Sequence, residues 1–151
     1  MKVAEFLQQQ KVRFDVLPHP TTYDAQRMAG SLHVPGREVA KTVLLRSRGG
    51  PYVVAVLPAT KSIDFKKASQ ALGGASLELA TELEIAEHCP DCEIGALPPF
   101  GSQYGMKTIV DEGLTSDEEI FFEGNTHQEA IRMRFEDYCR IEKPIVAGFA
   151  H

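Results

Sequence analysis

The chain has 151 residues, 43% of them hydrophobic and 25% charged, with a formal net charge of -5 at pH 7. This length and apolar content suffice for one hydrophobic core, so residues 1–151 are expected to form a single domain. The acidic balance disfavours DNA binding and broad adhesion to nucleic acid, which depend on many cationic contacts to phosphates. The chain has no apolar run of roughly 20 residues and no secretory signal. It is therefore expected to be cytoplasmic, with no membrane partner.

The N-terminal part of the chain alternates between helix and strand patterns. Residues 3–10 predict an amphipathic helix, and residues 11–17 alternate as a short strand. Residues 24–32 predict a second helix, with Thr22 or Asp24 as its N-cap.

A hairpin gives the clearest strand pattern in the chain. Residues 39–47 and 52–58 are rich in β-branched and aliphatic residues, and the turn residues Gly49, Gly50 and Pro51 separate them. Two such runs around a short turn predict a strand-turn-strand unit.

Two short helices are predicted after the hairpin. Ser62 can cap a helix that Gly73 and Gly74 would end. Thr81 and Glu84 have the spacing of a capping box ahead of the next helix.

The last third of the chain predicts further strands in residues 106–110, 119–123 and 130–135, then a last helical turn or two before Pro144. Helices and strands are thus interleaved, with hairpins among them. This order favours a mixed α/β fold, with helices packed on a mixed sheet, over a purely parallel doubly wound fold.

Lys41 is the most informative single residue. It lies in the first hairpin strand, on the same face as Val39, Val43 and Leu45. An ammonium in such a row is costly to bury without a partner. Two interpretations stay open: an edge-strand lysine that reaches water or discourages strand pairing, and a lysine at a pocket rim that binds a phosphate or carboxylate.

The second informative feature is the segment DCEIGALPPFG, residues 91–101. Pro98 and Pro99 fix two φ angles and remove two donors, whereas Gly95 and Gly101 permit conformations that other residues rarely adopt. We expect a stiff loop with exposed carbonyls and a few fixed N–H groups, able to hold a small ligand and stabilise an oxyanion. The alternative is a tight connection between two strands.

The pair Cys89 and Cys92, beside His88, has the C-x-x-C spacing of half a zinc site or of a redox dithiol. No second pair and no H-x-x-x-H follows, and a third cysteine, Cys139, leaves one thiol unpaired in any disulfide scheme. Ordinary reduced cysteines are therefore favoured, and we expect neither a metal nor a cofactor.

His127 follows the turn residues Gly124 and Asn125 and opens a predicted strand. It could be a solvated turn residue. It could also lie near the Gly/Pro loop and hydrogen-bond a ribose, a water or an amino group.

Three segments together resemble the YbaK/prolyl-tRNA-synthetase-associated editing-domain family. They are VPGREVAKTVLL at 34–45, LPATKSIDFKKASQALGG at 57–74 and DCEIGALPPFG at 91–101. The most specific part of the resemblance is a lysine in a hydrophobic strand, followed later by a G-x-x-x-P loop. The family lysine falls on Lys41, and the loop falls on Gly95, Ala96, Leu97, Pro98 and Pro99.

The resemblance implies a mixed α/β domain with a central, partly barrel-like sheet, which hydrolyses the ester between a mischarged amino acid and the 3′-terminal adenosine of tRNA. It implies substrate-assisted catalysis without a metal, in which the loop backbone holds a ribose hydroxyl and a water. Lys41 would contact the terminal nucleotide, and Gly95 and His127 would complete the catalytic set. Substrate-binding roles would fall on Thr42, Ala96, Leu97, Pro98, Pro99, Phe100 and Gly101.

The family resemblance also implies a partner, the acceptor 3′ end of a mischarged tRNA. We expect the chain to act in trans, through a small basic patch or with affinity from an aminoacyl-tRNA synthetase or elongation factor. The candidate basic residues are Arg46, Arg48, Lys66 and Lys67. Thr42 stands where some family members have asparagine, which leaves the amino acid open. The alternative function is a non-catalytic module that senses an amino acid, an aminoacyl nucleotide or an RNA end.

Overall fold

A computed structural model describes all 151 residues, which form five α-helices and eight β-strands. The helices are α1 (Val3–Gln9), α2 (Ala25–Leu32), α3 (Phe65–Ala71), α4 (Glu82–His88) and α5 (Phe135–Glu142). The strands are β1 (Asp15–Pro18), β2 (Ala40–Ser47), β3 (Tyr52–Pro58), β4 (Leu77–Leu79), β5 (Lys107–Asp111), β6 (Glu119–Glu123), β7 (Glu129–Arg134) and β8 (Ile145–Ala147). None of the helices has the length and apolar character needed to cross a bilayer.

The strands form two sheets. The larger has the order β4-β2-β3-β5-β8 and mixes antiparallel with parallel pairs, and the smaller is an antiparallel β1-β7-β6 sheet. An isolated parallel bridge between Val39 and Phe121 joins the smaller sheet to the start of β2. The expected mixed α/β architecture is therefore confirmed.

One strand edge is left open, and it positions the site. β3 pairs with β2 from Ala40 to Arg46, but β4 covers only Leu45–Ser47 on the other side. The N-terminal half of β2 therefore pairs with no strand on that side. Lys41 and Thr42 lie in this half.

The largest buried cluster joins both sheets to α1, α5 and the loop after α4. Phe100 lies at its centre, with ring centroids 5.3 Å from Phe6, 5.8 Å from Phe122 and 5.1 Å from Tyr138. Burying a side chain of this size contributes about 1.5 to 3 kcal/mol. The C-terminal half of the Gly/Pro loop is thus part of the core.

Several sequence predictions of local structure are confirmed. The hairpin of β2 and β3 forms as expected. The side chain of Asp24 caps α2 by accepting from the Arg27 N–H at 2.8 Å, and Thr81 and Glu84 form the predicted capping box of α4. These features depend on residues a few positions apart in the chain.

Two local predictions differ from the structure, the first because a distant contact intervenes and the second because of a local turn. Asp64, and not Ser62, caps α3. The backbone of Ser62 instead exchanges two hydrogen bonds of 2.9 Å with His151 at the far end of the chain. The first strand begins at Asp15, after a turn in which Lys11 has a φ of 57°. The short strands β4 and β8 have no strong pattern in the sequence.

Candidate active site

The open edge of β2 forms one wall of a cleft of about 210 Å³. The other walls come from the start of α2, the loop after α4 and the end of β6. The lining residues are Tyr23, Asp24, Ala25, Ala40, Lys41, Thr42, Val43, Gly95, Leu97 and Glu123. The fold thus brings Lys41 and the first part of the Gly/Pro loop to the same place.

Lys41 lies half-buried at the rim of this cleft, where it also borders a wider surface depression next to Arg27 and Ala59. Its ammonium has no ion-pair or hydrogen-bond partner in the protein. Burial lowers its pKa from the ordinary value. This location matches the pocket-rim interpretation, and it leaves a cation free to meet an anionic ligand.

Thr42 lies between two cavities. It lines the main cleft and a second, mostly apolar cavity of about 160 Å³. The two cavities share Thr42, Val43, Gly95 and Leu97, and the second continues to Leu44, Leu79, Ala80 and Ile85. The hydroxyl of Thr42 is buried without a hydrogen-bond partner. A ligand that bonds this hydroxyl would remove the cost of leaving it unpaired.

Gly95 and Leu97 are the two loop residues that line the cleft. Neither backbone N–H has a hydrogen-bond partner within the protein, whereas the intervening Ala96 N–H donates to the Glu93 carbonyl at 3.0 Å. Gly95 has a φ of +88°, and a Cβ there would lie 3.3 Å from Cε1 of His127. Both the backbone conformation and the close ring therefore favour glycine.

The expectation of exposed loop carbonyls is wrong for the C-terminal half of the loop. The carbonyl of Pro99 accepts from the hydroxyl of Tyr138 at 2.7 Å, and that of Pro98 accepts from the Phe100 N–H at 2.9 Å. The side chain of Phe100 draws this half into the core. The residues that line neither cavity are Ala96, Pro98, Pro99, Phe100 and Gly101, and all five are buried.

His127 is only 4% exposed, so the solvated-turn interpretation is wrong. The turn before it lies inside the protein, because the side chain of Asn125 accepts from the Val3 N–H of α1 at 2.9 Å. The His127 ring packs on Tyr23 and places Nε2 2.7 Å from the carbonyl of Ile94. It lies behind the loop and does not line the cleft. Its catalytic role stays a prediction.

Glu123 is a site residue that the sequence reasoning missed. It lines the cleft, is 6% exposed, and neither carboxyl oxygen has a hydrogen-bond partner. Burial raises its pKa to about 8, and the negative charges of Asp24 and Glu93 add to the rise. The available signals were the alternation of EIFFE, which puts Glu123 on the face of buried Phe121, and its E-x-x-x-H spacing to His127.

The tautomer of His127 fits an uncharged Glu123. The Ile94 carbonyl only accepts, so Nε2 of His127 carries a hydrogen. In the neutral ring Nδ1 then has a lone pair, and it lies 3.7 Å from Oε2 of Glu123. Two lone pairs facing each other would repel. A protonated Glu123 avoids this repulsion, and Oε1 of Glu123 has no hydrogen-bond partner.

The cysteine pair lacks the features of a reactive dithiol. Burial raises the pKa of Cys89 to about 12 and that of Cys92 to about 11. Both are thiols near neutral pH, whereas reactive cysteines have depressed pKa values. No group of three or more His, Cys, Asp or Glu side chains is arranged to hold a metal ion.

One residue of the expected basic patch is already paired. Arg46 contacts the carboxylates of Glu78 and Glu84, so its charge is locally neutralised. Arg48, Lys66 and Lys67 are exposed.

The site is a cleft with a free cation at the rim, unpaired backbone donors on one side and a buried carboxyl at the floor, held by a mixed α/β domain. Residues 19–141 match the profile of the aminoacyl-tRNA editing domain. The matched range covers the cleft, from Tyr23 to Glu123, and also His127. The chain belongs to the aminoacyl-tRNA editing domain family, which is hydrolytic and acts on tRNA.

Individual relatives agree with this assignment. The chain is 24% identical, over 98% of its length and 90% of the relative's, to the multifunctional Ser/Thr-tRNA deacylase ProXp-y of Escherichia coli (strain K12). It is 30% identical to a proline-tRNA ligase of Thermosipho africanus (strain TCF52B), over 63% of this chain and 16% of the ligase. The crystal structure of a candidate trans-editing enzyme for prolyl tRNA synthetase matches with a TM-score of 0.82 and 22% identity, over 91% of this chain and 87% of that one. The family resemblance and the editing-domain fold are confirmed.

Proposed function

We propose that this chain is a free-standing, trans-acting deacylase that hydrolyses the ester between a small mischarged amino acid and the 3′-terminal adenosine of tRNA. The observation that carries the proposal is the meeting of Lys41, Thr42 and the unpaired N–H groups of Gly95 and Leu97 at one cleft. The similarity to the Escherichia coli deacylase, over 98% of this chain and 90% of that relative, supports the proposal.

The chemistry needs no protein nucleophile, because an aminoacyl ester is already activated. The site must orient a water and stabilise the charge that develops on the ester oxygen. In the proposed step, water attacks the carbonyl carbon while the N–H groups of Gly95 and Leu97 donate to the developing oxyanion. The ester bond then breaks, and the ribose oxygen leaves with the proton that the attacking water gives up. A ribose hydroxyl next to the ester helps to hold the water.

The rim of the cleft suits the terminal nucleotide. Lys41 would bind its phosphate as an unpaired cation. Tyr23, which is 73% exposed, offers an aromatic face on which the terminal adenine can stack. Only the acceptor end needs to enter, which is compatible with the net negative charge of the chain.

The second cavity suits the side chain of the amino acid. Its volume of about 160 Å³ and its apolar lining favour an amino acid with a small side chain. The unpaired Thr42 hydroxyl favours a side chain that itself carries a hydroxyl. We therefore propose serine and threonine esters as the preferred substrates. A cavity of this size excludes larger side chains, which is how an editing site compensates for weak discrimination by a synthetase.

We propose that His127 acts by holding the carbonyl of Ile94, and through it Gly95, without touching the ester. A His127→Gln variant, whose amide can still donate to that carbonyl, should retain activity that His127→Ala loses. Equal loss in both variants would instead indicate a direct contact with substrate.

The proposed partner is mischarged tRNA in the cytoplasm, delivered by an aminoacyl-tRNA synthetase or an elongation factor. The proposed step uses no metal or cofactor. Ester hydrolysis should therefore be unchanged after dialysis against EDTA, and a loss that zinc or magnesium restores would refute this part.

The direct test is loss of the ester from tRNAs charged with serine, threonine, alanine or cysteine. Lys41→Ala should raise KM, and Lys61→Ala, which removes an exposed lysine outside the cleft, is the matched control. If none of the four esters is hydrolysed faster than in buffer, the proposed function fails. Ligand-induced stabilisation without turnover would favour a binding module.

A further inference from the structure

Two carboxyl groups line the cleft, and they differ in their surroundings. Asp24 is exposed and accepts from the Arg27 N–H at 2.8 Å. Glu123 is 6% exposed, and neither of its oxygens has a hydrogen-bond partner. A buried carboxyl without a partner is destabilising, and a ligand that supplied a donor or a positive charge would remove that cost.

The charges around the cleft are separated. Lys41 is at the rim, whereas Glu123 is buried at the floor, and the negative charges of the exposed Asp24 and Glu93 are close enough to raise its pKa. The one basic side chain beside Glu123 is His127, whose Nδ1 lies 3.7 Å from Oε2. Oε1 has no such neighbour. Both carboxyl oxygens are themselves buried, so a cation in the cleft would pair with Oε1 after a small shift of the Glu123 side chain towards it.

We propose that Glu123 binds the α-ammonium group of the aminoacyl ester, so that the cleft takes aminoacyl-tRNA with a free amine and rejects N-acylated tRNA. This inference rests on the proposed function and names the feature by which the same site recognises its substrate. When the ammonium binds, Glu123 releases its proton to solvent and pairs with the ammonium as a carboxylate. An acylated amine carries no positive charge, and its acyl group would clash with the residues at the floor of the cleft.

The polarity of the cleft matches that of an aminoacyl nucleotide. Its phosphate carries negative charge and would lie at the rim beside Lys41, while its amine carries positive charge and would lie at the floor. A side-chain hydroxyl is a weaker candidate for Glu123, because a neutral group gains little from the negative charges of Asp24 and Glu93. It has an unpaired partner in Thr42 on the side of the apolar cavity.

The test compares hydrolysis of seryl-tRNA and N-acetylseryl-tRNA by the wild type, by Glu123→Gln and by Glu119→Gln. Glu119 lies on the same strand but is exposed, which makes its variant a matched control. Hydrogen bonds to charged groups contribute enough for a fold-change of about 10 to 100. The wild type should prefer the free amine by at least about that factor in kcat/KM. Glu123→Gln should lose most of this preference through slower hydrolysis of seryl-tRNA, and Glu119→Gln should keep it.

A binding measurement separates this inference from the proposed function. The probe is 3′-(serylamino)-3′-deoxyadenosine, whose amide is not hydrolysed, together with its N-acetyl form. The free-amine probe should raise the Tm of the wild type more than the acetylated probe, and this difference should vanish in Glu123→Gln. The inference is overturned if both probes act equally on the wild type, or if Glu123→Gln keeps the amine preference and loses only the preference for seryl-tRNA over alanyl-tRNA.

Discussion

Replacing Glu123 by glutamine should stabilise the folded protein at neutral pH. The substitution keeps the shape of the side chain and removes a buried carboxyl that has no hydrogen-bond partner. Burial, aided by the charges of Asp24 and Glu93, raises the pKa of this carboxyl from 4.5 to about 8. The folded state therefore holds the proton over a pH range in which the unfolded chain has already released it.

The sign and size of the effect follow from this difference. Between pH 4.5 and about 8 the folded state binds more protons than the unfolded state, so the free energy of unfolding falls as the pH rises. The fall is about 1.4 kcal/mol per pH unit, which gives roughly 3 kcal/mol at pH 7. Above about pH 8 the penalty is constant. Glutamine does not titrate, so its variant lacks this penalty.

Urea denaturation of both proteins between about pH 4.5 and pH 8.5 measures the difference, provided that the m-value is unchanged. The two proteins should have similar stability at the acidic end, and the glutamine variant should be more stable by about 2 to 3 kcal/mol at pH 7. Glu119→Gln should show no such divergence. Parallel pH curves, or a less stable Glu123→Gln at pH 7, would refute the reasoning that Glu123 is buried, unpaired and uncharged.

Gly95→Ala should lower the free energy of unfolding by about 1 to 2 kcal/mol because of its positive φ, and it should also lower kcat. The control is Gly105→Ala, where φ is +69° and a Cβ would have no neighbour within 4 Å. This variant should lose similar stability and retain kcat. Tyr23→Ala should raise KM about 5- to 10-fold if the adenine stacks there, with kcat unchanged, and Tyr23→Phe should behave like the wild type; equal KM values would exclude stacking. Phe100→Ala should lower the free energy of unfolding by about 3 to 5 kcal/mol in urea denaturation; a smaller loss would contradict its central place in the core.

Much of the local structure could be predicted from the sequence. The hairpin pattern, the N-cap at Asp24 and the capping box at Thr81 and Glu84 depend on neighbours within a few positions. The resemblance to editing domains identified Lys41 and Gly95 as site residues, and the structure brings both to one cleft. The order of the motifs along the chain distinguished Lys41 from an ordinary edge-strand lysine and the Gly95 loop from a simple connection.

The main failures come from contact between segments far apart in the chain. Ser62 is a good capping residue, but its backbone pairs with His151 instead. A turn sequence such as Gly124-Asn125 normally lies at the surface, but α1 covers it here and buries His127. The proline half of the loop has the composition of a stiff ligand-binding loop, but Phe100 anchors it in the core.

By itself the sequence determined the class of fold, the family and the two motifs that mark the site, because patterning and motif order are properties of the chain. Only the tertiary structure decided which of the marked residues face the cleft and that Glu123 lies at its floor. Burial is the reason. The cost of placing a carboxyl in a protein depends on what the rest of the fold puts around it, and no local pattern in EIFFE specifies that surrounding.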